Sequence, residues 1–537
     1  MDGKNQLHTD FSFPLFMISL GFLYMVYAVA IYYAVKDFNP DADAYWLIGT
    51  GRWIFEHRRV PSINPWTYEE RLSIIVQQPL CALLNYLWFQ YFGGLSNMWM
   101  LACLENVILL ISIIFLAGKY SLSKTDAVLT AALTEVIFII AGVITTRPYQ
   151  LTTAAMALLI ANLEESHRKR NVGRAVIAVV LVTLFQANYQ MASLFMIPCL
   201  ISCYFFGNVI GRIRNTWLCY RRVCTKLPCL TENLNEVLVY SRPIRETGCM
   251  EWLWVYLGWG LAGIMNPYGI NGLLYLPKAK EAMASVGNRI YEMTAPKTTS
   301  FPFILALITI MLFCYLAMRR KRGTIPLAFL VTGSALASFL AIRNLWMSAL
   351  SFAVLYPQII GRKREGYAEI MDNSEVTGKH HLMIWMGCLF YAAGVISILY
   401  AGHNAVFVSK DMILPITDMM QEIQSLPEDE RLYTSFNTGG VALFAGHKIY
   451  VDARPELYSP DITGNRDILK EWVEFEWKNT DEMPVRVNNS GWKYYLVSPD
   501  TPLCYYLEYS GKFELICQAG NMKLFSKKQN TVSDASR

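Results

Sequence analysis

Asp41 and Asp43 are two carboxylates two residues apart, in the charged stretch 37–68 that follows the first long apolar segment. On a loop leading into a helix, both side chains can converge on one point. There one of them could accept the proton of an attacking hydroxyl, or the pair could hold a divalent cation. The same spacing also suits plain helix capping, with Asp43 as N-cap ahead of Ala44 and Asp41 solvated. A second set of candidates is the arginines in short turns between apolar runs. Arg147 precedes Pro148 and Arg343 precedes Asn344, with Arg52 and Arg289 as weaker members. A guanidinium contacts phosphate in bidentate fashion, so this set could recognise a phosphorylated lipid headgroup. The alternative is snorkelling or pairing with a neighbouring carboxylate. Gln150, Asn188 and Asn266 belong to turns of the same class, where amides either shape the turn or line a cavity mouth. Glu292, in the loop 270–300, could reach that mouth. Asp452 and Arg454 follow a strand-like run and read as a structural ion pair.

The elements that must position these residues are membrane spans. Of 537 residues, 54% are hydrophobic and 17% are charged, against about 25% charged in soluble domains. Mean hydropathy is +0.28. Apolar runs of roughly 15–24 residues recur over the first 400 positions, which excludes a large soluble enzyme. The net charge of +5 gathers in a few loops rather than in a basic patch with interleaved aromatics, so no nucleic-acid partner is expected. Eleven spans are expected at 13–36, 97–117, 125–143, 149–163, 174–189, 190–210, 250–265, 301–318, 324–341, 344–361 and 382–402. Ala28-Val29-Ala30 resembles a cleavage site, but the apolar run continues past it, so the first helix is read as uncleaved.

The basic loops Glu164–Arg174, Gly211–Arg245, Arg319–Arg322 and Arg362–Lys379 should be cytoplasmic. Alternation then puts the N-terminus inside. It puts the turns 146–150, 188–190, 266–300 and 342–344, together with the tail after Gly402, outside. Ser73–Phe92 is apolar enough to span, but parity makes it a non-crossing segment of a long first outer loop, 37–97; a twelfth span is the alternative. Within that loop, Ala44–Phe55 has helical spacing and is expected to lie along the membrane, with Trp46 in the headgroup layer.

The expected domains are a transmembrane domain over 1–402, a small extracytoplasmic α/β domain over 403–528 and a disordered end at 529–537. In the tail, strands are expected at Leu432–Ser435, Lys448–Asp452, Lys493–Val497, Phe513–Cys517 and Lys523–Ser526. The Gly439-Gly440 pair reads as a turn, Ile462–Trp477 as an amphipathic helix, and Tyr505–Ser510 as short helix or turn. The twelve cysteines show no CxxC spacing. Cys219, Cys224, Cys229 and Cys249 belong to a basic loop and are expected as free thiols; Cys504 and Cys517 could pair. Walker A, HExxH and GxSxG patterns are absent. No span carries a ladder of acidic residues, which argues against an ion-coupled transporter.

Taken in order, these pieces resemble the polytopic GT-C class of lipid-sugar-dependent glycosyltransferases, in particular its little-characterised bacterial members. Their first outer loop is matched by Asp41, Asp43, Tyr45, Trp46, Gly51, Trp53, Ile54, Val60, Pro61, Asn64, Pro65, Trp66, Thr67 and Tyr68. The match continues with Arg147, Pro148 and Gln150, a turn at Asn188, the run Asn266–Gly269, and Arg343-Asn344. It ends in Gly439-Gly440, Asp452, Arg454 and Tyr458. Leu47 and Gln190 stand where relatives often have His, and Gln78-Pro79 where they often have Glu-Trp.

The resemblance implies an α-helical polytopic protein of the bacterial plasma membrane. Its donor would be a sugar on a polyprenyl phosphate or diphosphate. The acceptor would be a glycan, lipid or protein at the outer face, and transfer would invert the anomeric carbon. The acidic residue of the first outer loop that serves such enzymes as base maps to Asp41 or Asp43. A cation requirement stays open. The alternative is a non-catalytic or export-related membrane protein that has kept the fold.

Overall fold

The computed structural model describes residues 2–37, 42–68, 72–121, 123–226, 249–275, 294–318, 325–368, 376–427, 430–458, 460–463, 466–478 and 480–528. Each of the eleven apolar ranges coincides with a helix. These are Asp2–Asp37, Met98–Gly118, Lys124–Ile140, Tyr149–Lys169, Val172–Tyr189, Met196–Lys226, Cys249–Ile264, Phe301–Met318, Ile325–Leu340, Leu345–Ala368 and Val376–Gln424. Five stretches among the described residues are long and apolar enough to cross a membrane: Phe13–Lys36, Leu95–Gly118, Val172–Tyr189, Met191–Ile210 and Leu382–Gln424. The protein is an integral membrane protein, and its fold is predominantly helical.

Three basic segments expected as loops are shorter than the sequence suggested, among them 362–379, whose ends belong to the helices Leu345–Ala368 and Val376–Gln424. Between Lys169 and Val172 the chain turns on Arg170, which takes a left-handed conformation (φ 54°), and on Asn171, whose side chain caps the next helix. The first part of the loop expected at 211–245 continues the helix as far as Lys226. Its remainder, like 319–324, lies outside the described residues.

The helix Val376–Gln424 has 49 residues, or about 73 Å at 1.5 Å per residue. That is more than twice the hydrocarbon thickness of about 30 Å. The boundary drawn at 402 therefore falls inside one continuous helix, which carries the chain from the bundle into the tail. The tail holds a four-stranded sheet of order β1-β2-β4-β3: β1 Leu432–Thr434, β2 Tyr494–Val497, β3 Phe513–Ala519 and β4 Met522–Lys527. β1 runs parallel to β2, with Leu432 opposite Tyr494; the other pairings are antiparallel.

Several tail expectations change. Lys448–Asp452 is not a strand: the backbone N–H groups of Tyr450 and Val451 both donate to the Thr434 hydroxyl, and Ile449 N–H donates to Trp66 O at 2.8 Å. A side chain and the first outer loop thus take the place of a strand partner. Gly439-Gly440 opens a short helix, Gly439–Phe444, rather than a turn. The expected helix over 462–477 is two, Pro460–Thr463 and Ile468–Trp477, the second capped by the Asp467 carboxylate. Cys504 and Cys517 are both free thiols.

The loop expected at 37–97 is built into the tail. Its helix, Ala42–His57, is buried from Ala44 to Gly51 between the helices Pro79–Tyr91 and Gly439–Phe444. The position along the membrane surface expected for it is replaced by a protein interior, because its apolar residues Tyr45, Leu47 and Ile48 share one core with Tyr433, Leu443, Phe444, Ile449 and Leu496. Ser73–Phe92 is helical only over Pro79–Tyr91. Thirteen residues span about 20 Å, short of the hydrocarbon thickness.

Candidate functional site

The N-terminal end of the loop helix meets the turn between Lys124–Ile140 and Tyr149–Lys169. Asp43 Oδ2 lies 3.2 Å from Arg147 Nε, and the two side chains keep about a quarter of their surface exposed (24% and 25%). Asp43 sits inside the first turn of the helix instead of ahead of it, so it does not take the N-cap position. Its Oδ1 accepts the indole N–H of Trp46 at 2.9 Å, one turn further on. The sequence analysis named Asp43 and Arg147 separately, and the structure brings them together. Asp41, Arg289 and Glu292 lie outside the described residues.

Trp46 connects this pair to the tail. The Arg454 guanidinium lies over two indoles, 5.2 Å from the ring centre of Trp46 and 5.0 Å from that of Trp66. Asp452, fully buried, holds Arg454 through a bond from Nε at 2.9 Å and another from the adjoining guanidinium nitrogen. The backbone N–H of Asp452 donates to the Tyr458 hydroxyl at 3.1 Å. A Cβ on Gly439 would lie 2.1 Å from Val451 O, so only glycine lets the tail helix approach this strand-like run. Gly51 plays the same part on the other side, where a Cβ would lie 2.0 Å from Ala82 O. The Gly439, Asp452, Arg454 and Tyr458 pattern is therefore one packed node whose charged member faces the loop helix.

The turn residues of the bundle gather at the same end and mostly shape it. Asn188 donates to Leu184 O and Met265 O, tying two turns together. Asn266 donates to Gly263 O and Gly269 O, and its Oδ1 accepts Tyr268 N–H. Tyr268 then clamps the first outer loop: its hydroxyl donates to Pro61 O at 2.8 Å and accepts Val76 N–H at 2.9 Å. Burial pushes that hydroxyl up to about 12, which keeps it a donor. Gln150 is fully buried and donates to Ala102 O and Thr145 O; its Oε1 has no hydrogen bond. These amides hold the turns together through backbone hydrogen bonds.

Two arginines behave differently. Arg52 lies nine residues beyond Asp43, half a rotation around the helix, with its guanidinium 4.9 Å from the Phe444 ring. It does not join Asp43. Arg343 is exposed in a single 3-10 turn, Ile342–Asn344, which is tied back by Ile342 N–H to Thr294 O.

Sequence reasoning missed Trp46 as a partner of Asp43, because an i, i+3 contact between a carboxylate and an indole leaves no pattern of its own. It also missed buried acids in the bundle, among them Glu105 and Glu135. Glu105 accepts the Tyr189 hydroxyl at 3.1 Å and Glu135 accepts Asn106 at 2.6 Å; the second oxygen of each carboxylate is buried without a hydrogen bond. A lone Glu inside an apolar run was the available signal. Glu105 lies on Met98–Gly118 and Glu135 on Lys124–Ile140.

Asp41, one half of the pair that could hold a cation, lies outside the described residues. No group of three or more His, Cys, Asp or Glu stands together among the described residues, and the guanidinium beside Asp43 opposes a cation there. Leu47 is buried in the core shared with the tail. Gln190 is bonded to the Thr152 hydroxyl at 2.5 Å.

No protein-family model matches the sequence, and no curated protein matches it. Solved structures do. The oligosaccharyltransferase of Archaeoglobus fulgidus, tethered with an acceptor peptide, aligns at TM-score 0.52 and 12% identity over 88% of this chain and 68% of its own. Oligosaccharyltransferase AglB from the same organism, in complex with an inhibitory peptide and a dolichol-phosphate, aligns at TM-score 0.50 and 11% identity over 88% and 69%. ArnT from Cupriavidus metallidurans bound to undecaprenyl phosphate aligns at the lower TM-score of 0.45 and 11% identity, over 94% and 98%. The fold implied by the sequence resemblance, that of GT-C membrane glycosyltransferases, is the fold found.

Proposed function

We propose that, on this fold, the chain is a membrane glycosyltransferase that moves a sugar from a polyprenyl-phosphate or diphosphate donor to an acceptor at the outer face. The observation that carries the reading is the contact between Asp43 and Arg147 at the end of the bundle where the turns converge. In the resting protein the two charges neutralise each other. A donor phosphate arriving beside Arg147 competes for the guanidinium and frees the Asp43 carboxylate toward an acceptor hydroxyl. The acceptor oxygen then bonds to the anomeric carbon as the bond from that carbon to the phosphate oxygen breaks. The hydroxyl proton passes to Asp43, or to Asp41 in the same loop, and Arg147 stabilises the charge gathering on the departing phosphate. Exposed Arg343 is a second cation for the lipid phosphate. The reading includes eleven crossings, a cytoplasmic N-terminus, a tail (403–528) outside as an α/β domain, and a bacterial plasma membrane.

A second reading, a non-catalytic or export-related protein, is favoured by the engagement of both Asp43 oxygens in the resting protein. Asp41→Ala and Asp43→Ala, each with lipid-linked sugars and surface glycans measured by mass spectrometry, separate the two. The transferase reading expects the lipid-linked sugar to accumulate in at least one variant. Unchanged pools at normal membrane levels of both variants would refute it. For topology, Arg147→Cys and Arg322→Cys should react with an impermeant maleimide from opposite sides; same-side labelling sinks the alternation.

A further inference from the structure

The candidate base is held by a residue of the tail it never touches. Asp43 is in the first turn of its helix, where its carboxylate has open rotamers and solvent on one side. Arg147 meets it on Oδ2 and the Trp46 indole N–H on Oδ1. The N–H bond forms only if the indole is turned toward the helix start, and an indole on a helix has several rotamers to choose from. What stands against its face is the Arg454 guanidinium, with Trp66 against Arg454 as well. Arg454 itself cannot swing, because Asp452 holds it by two bonds and its side chain is only 5% exposed. We propose that Arg454 is a positioning residue: fixed by Asp452 and stacked against Trp46, it orients the Asp43 carboxylate through the Trp46 indole N–H. This rests on the reading of Asp43 as the base. It gives the tail a task in the transfer reaction beyond covering the first outer loop.

The two helices packed against that of Asp43, Pro79–Tyr91 and Gly439–Phe444, contain no Asp, Glu, Lys, Arg or His. Arg147 comes from the bundle turn, and Arg454 from the tail on the far side of Trp46. Arg52 and Glu56 lie around the helix on its other faces. Trp46→Phe leaves these charges in place, so a change in the Trp46 bond is readable in the ionisation of Asp43 by comparison with the parent.

The test is the pH at which Asp43 takes up its proton in the full-length protein in lipid. It is read from the carboxylic acid infrared band that disappears in Asp43→Asn. Trp46→Phe keeps an aromatic ring beneath Arg454 and removes only the N–H. The paired change Asp452→Asn with Arg454→Met removes both buried charges together, so neither is left uncompensated in the interior. A carboxylate that loses a hydrogen bond ionises less readily, so both variants should move the midpoint upward, by about one pH unit. An unmoved midpoint in Trp46→Phe overturns the proposal. A shift in Trp46→Phe with none in the paired variant overturns the part played by Arg454. The measurement needs no sugar donor, so its failure is distinct from failure of the glycosyltransferase reading, which the Asp43→Ala glycan measurement decides by itself.

Discussion

Two aspartate–arginine pairs stand on either side of Trp46, and they are built for opposite ends. Asp452 and Arg454 are buried, doubly bonded, and closed over by two indoles. Asp43 and Arg147 meet at a longer 3.2 Å, Oδ2 to Nε, with a quarter of each side chain exposed. In the first pair water has been excluded, so separating the charges costs the desolvation of both. In the second, solvent already competes for each group, and a phosphate or a hydroxyl can do the same. The difference teaches where to look for chemistry: the tight pair holds the fold, and the loose pair can exchange partners.

If that contrast is right, the two pairs should fail differently when cut. Asp43→Asn should lower transfer by on the order of 10²–10⁴-fold while the protein remains folded, measured as turnover of lipid-linked sugar against thermal unfolding. Arg454→Met alone strands a buried carboxylate and should lower stability by about 3–5 kcal/mol, whereas Arg147→Ala should cost less than about 1 kcal/mol. Thermal unfolding of the purified variants checks both values, and equal losses would erase the distinction.

The tail also contains a lone buried acid that sharpens the comparison. Burial of Glu476 pushes its carboxyl up to about 7 from 4.5, against hydrogen bonds from Ser435, Trp472 and Tyr433 that pull it down. Unfolded, the group releases its proton near 4.5; folded, it keeps it until about 7. Its contribution to stability is therefore complete below 4.5 and is lost as pH rises through 7, by up to about 3 kcal/mol. Glu476→Gln should flatten that slope in pH-dependent unfolding and leave the protein more stable than the parent at pH 8. A smaller effect belongs to the seam between the loop helix and the helix Pro79–Tyr91. Gly51→Ala places a Cβ against Ala82 O and should cost about 1–3 kcal/mol of stability, read by the same unfolding assay.

Much of this architecture could be read from the residues, and the reason is physical. A span is a local property: an apolar run long enough to cross a membrane is helical whatever surrounds it, so all eleven ranges emerged as helices. The loop helix was equally readable as a helix but not in its surroundings. Tyr45, Leu47 and Ile48 have the same spacing whether they face lipid or the distant residues Leu443 and Phe444, and only the tertiary fold selects the second. Lys448–Asp452 failed for a related reason. Its composition favours a strand, yet the Thr434 hydroxyl and the Trp66 carbonyl, each remote in sequence, take its backbone bonds. In the site, Asp43 and Arg147 were recognised by type, as residues able to move a proton and to hold a phosphate. Their contact, and the Trp46 bond that orients one of them, depend on helix ends meeting across the fold. Arg52 was drawn into the same set by type alone, although half a helical rotation sends it to Phe444.

The loose pair remains the claim on which the account stands. Its most direct test is release of polyprenyl phosphate from labelled polyprenyl-phosphate sugars by the chain reconstituted in liposomes, comparing the parent with Asp43→Asn. The account predicts release by the parent and loss of nearly all of it in the variant, with undiminished folding and insertion. Equal release by both proteins would contradict it.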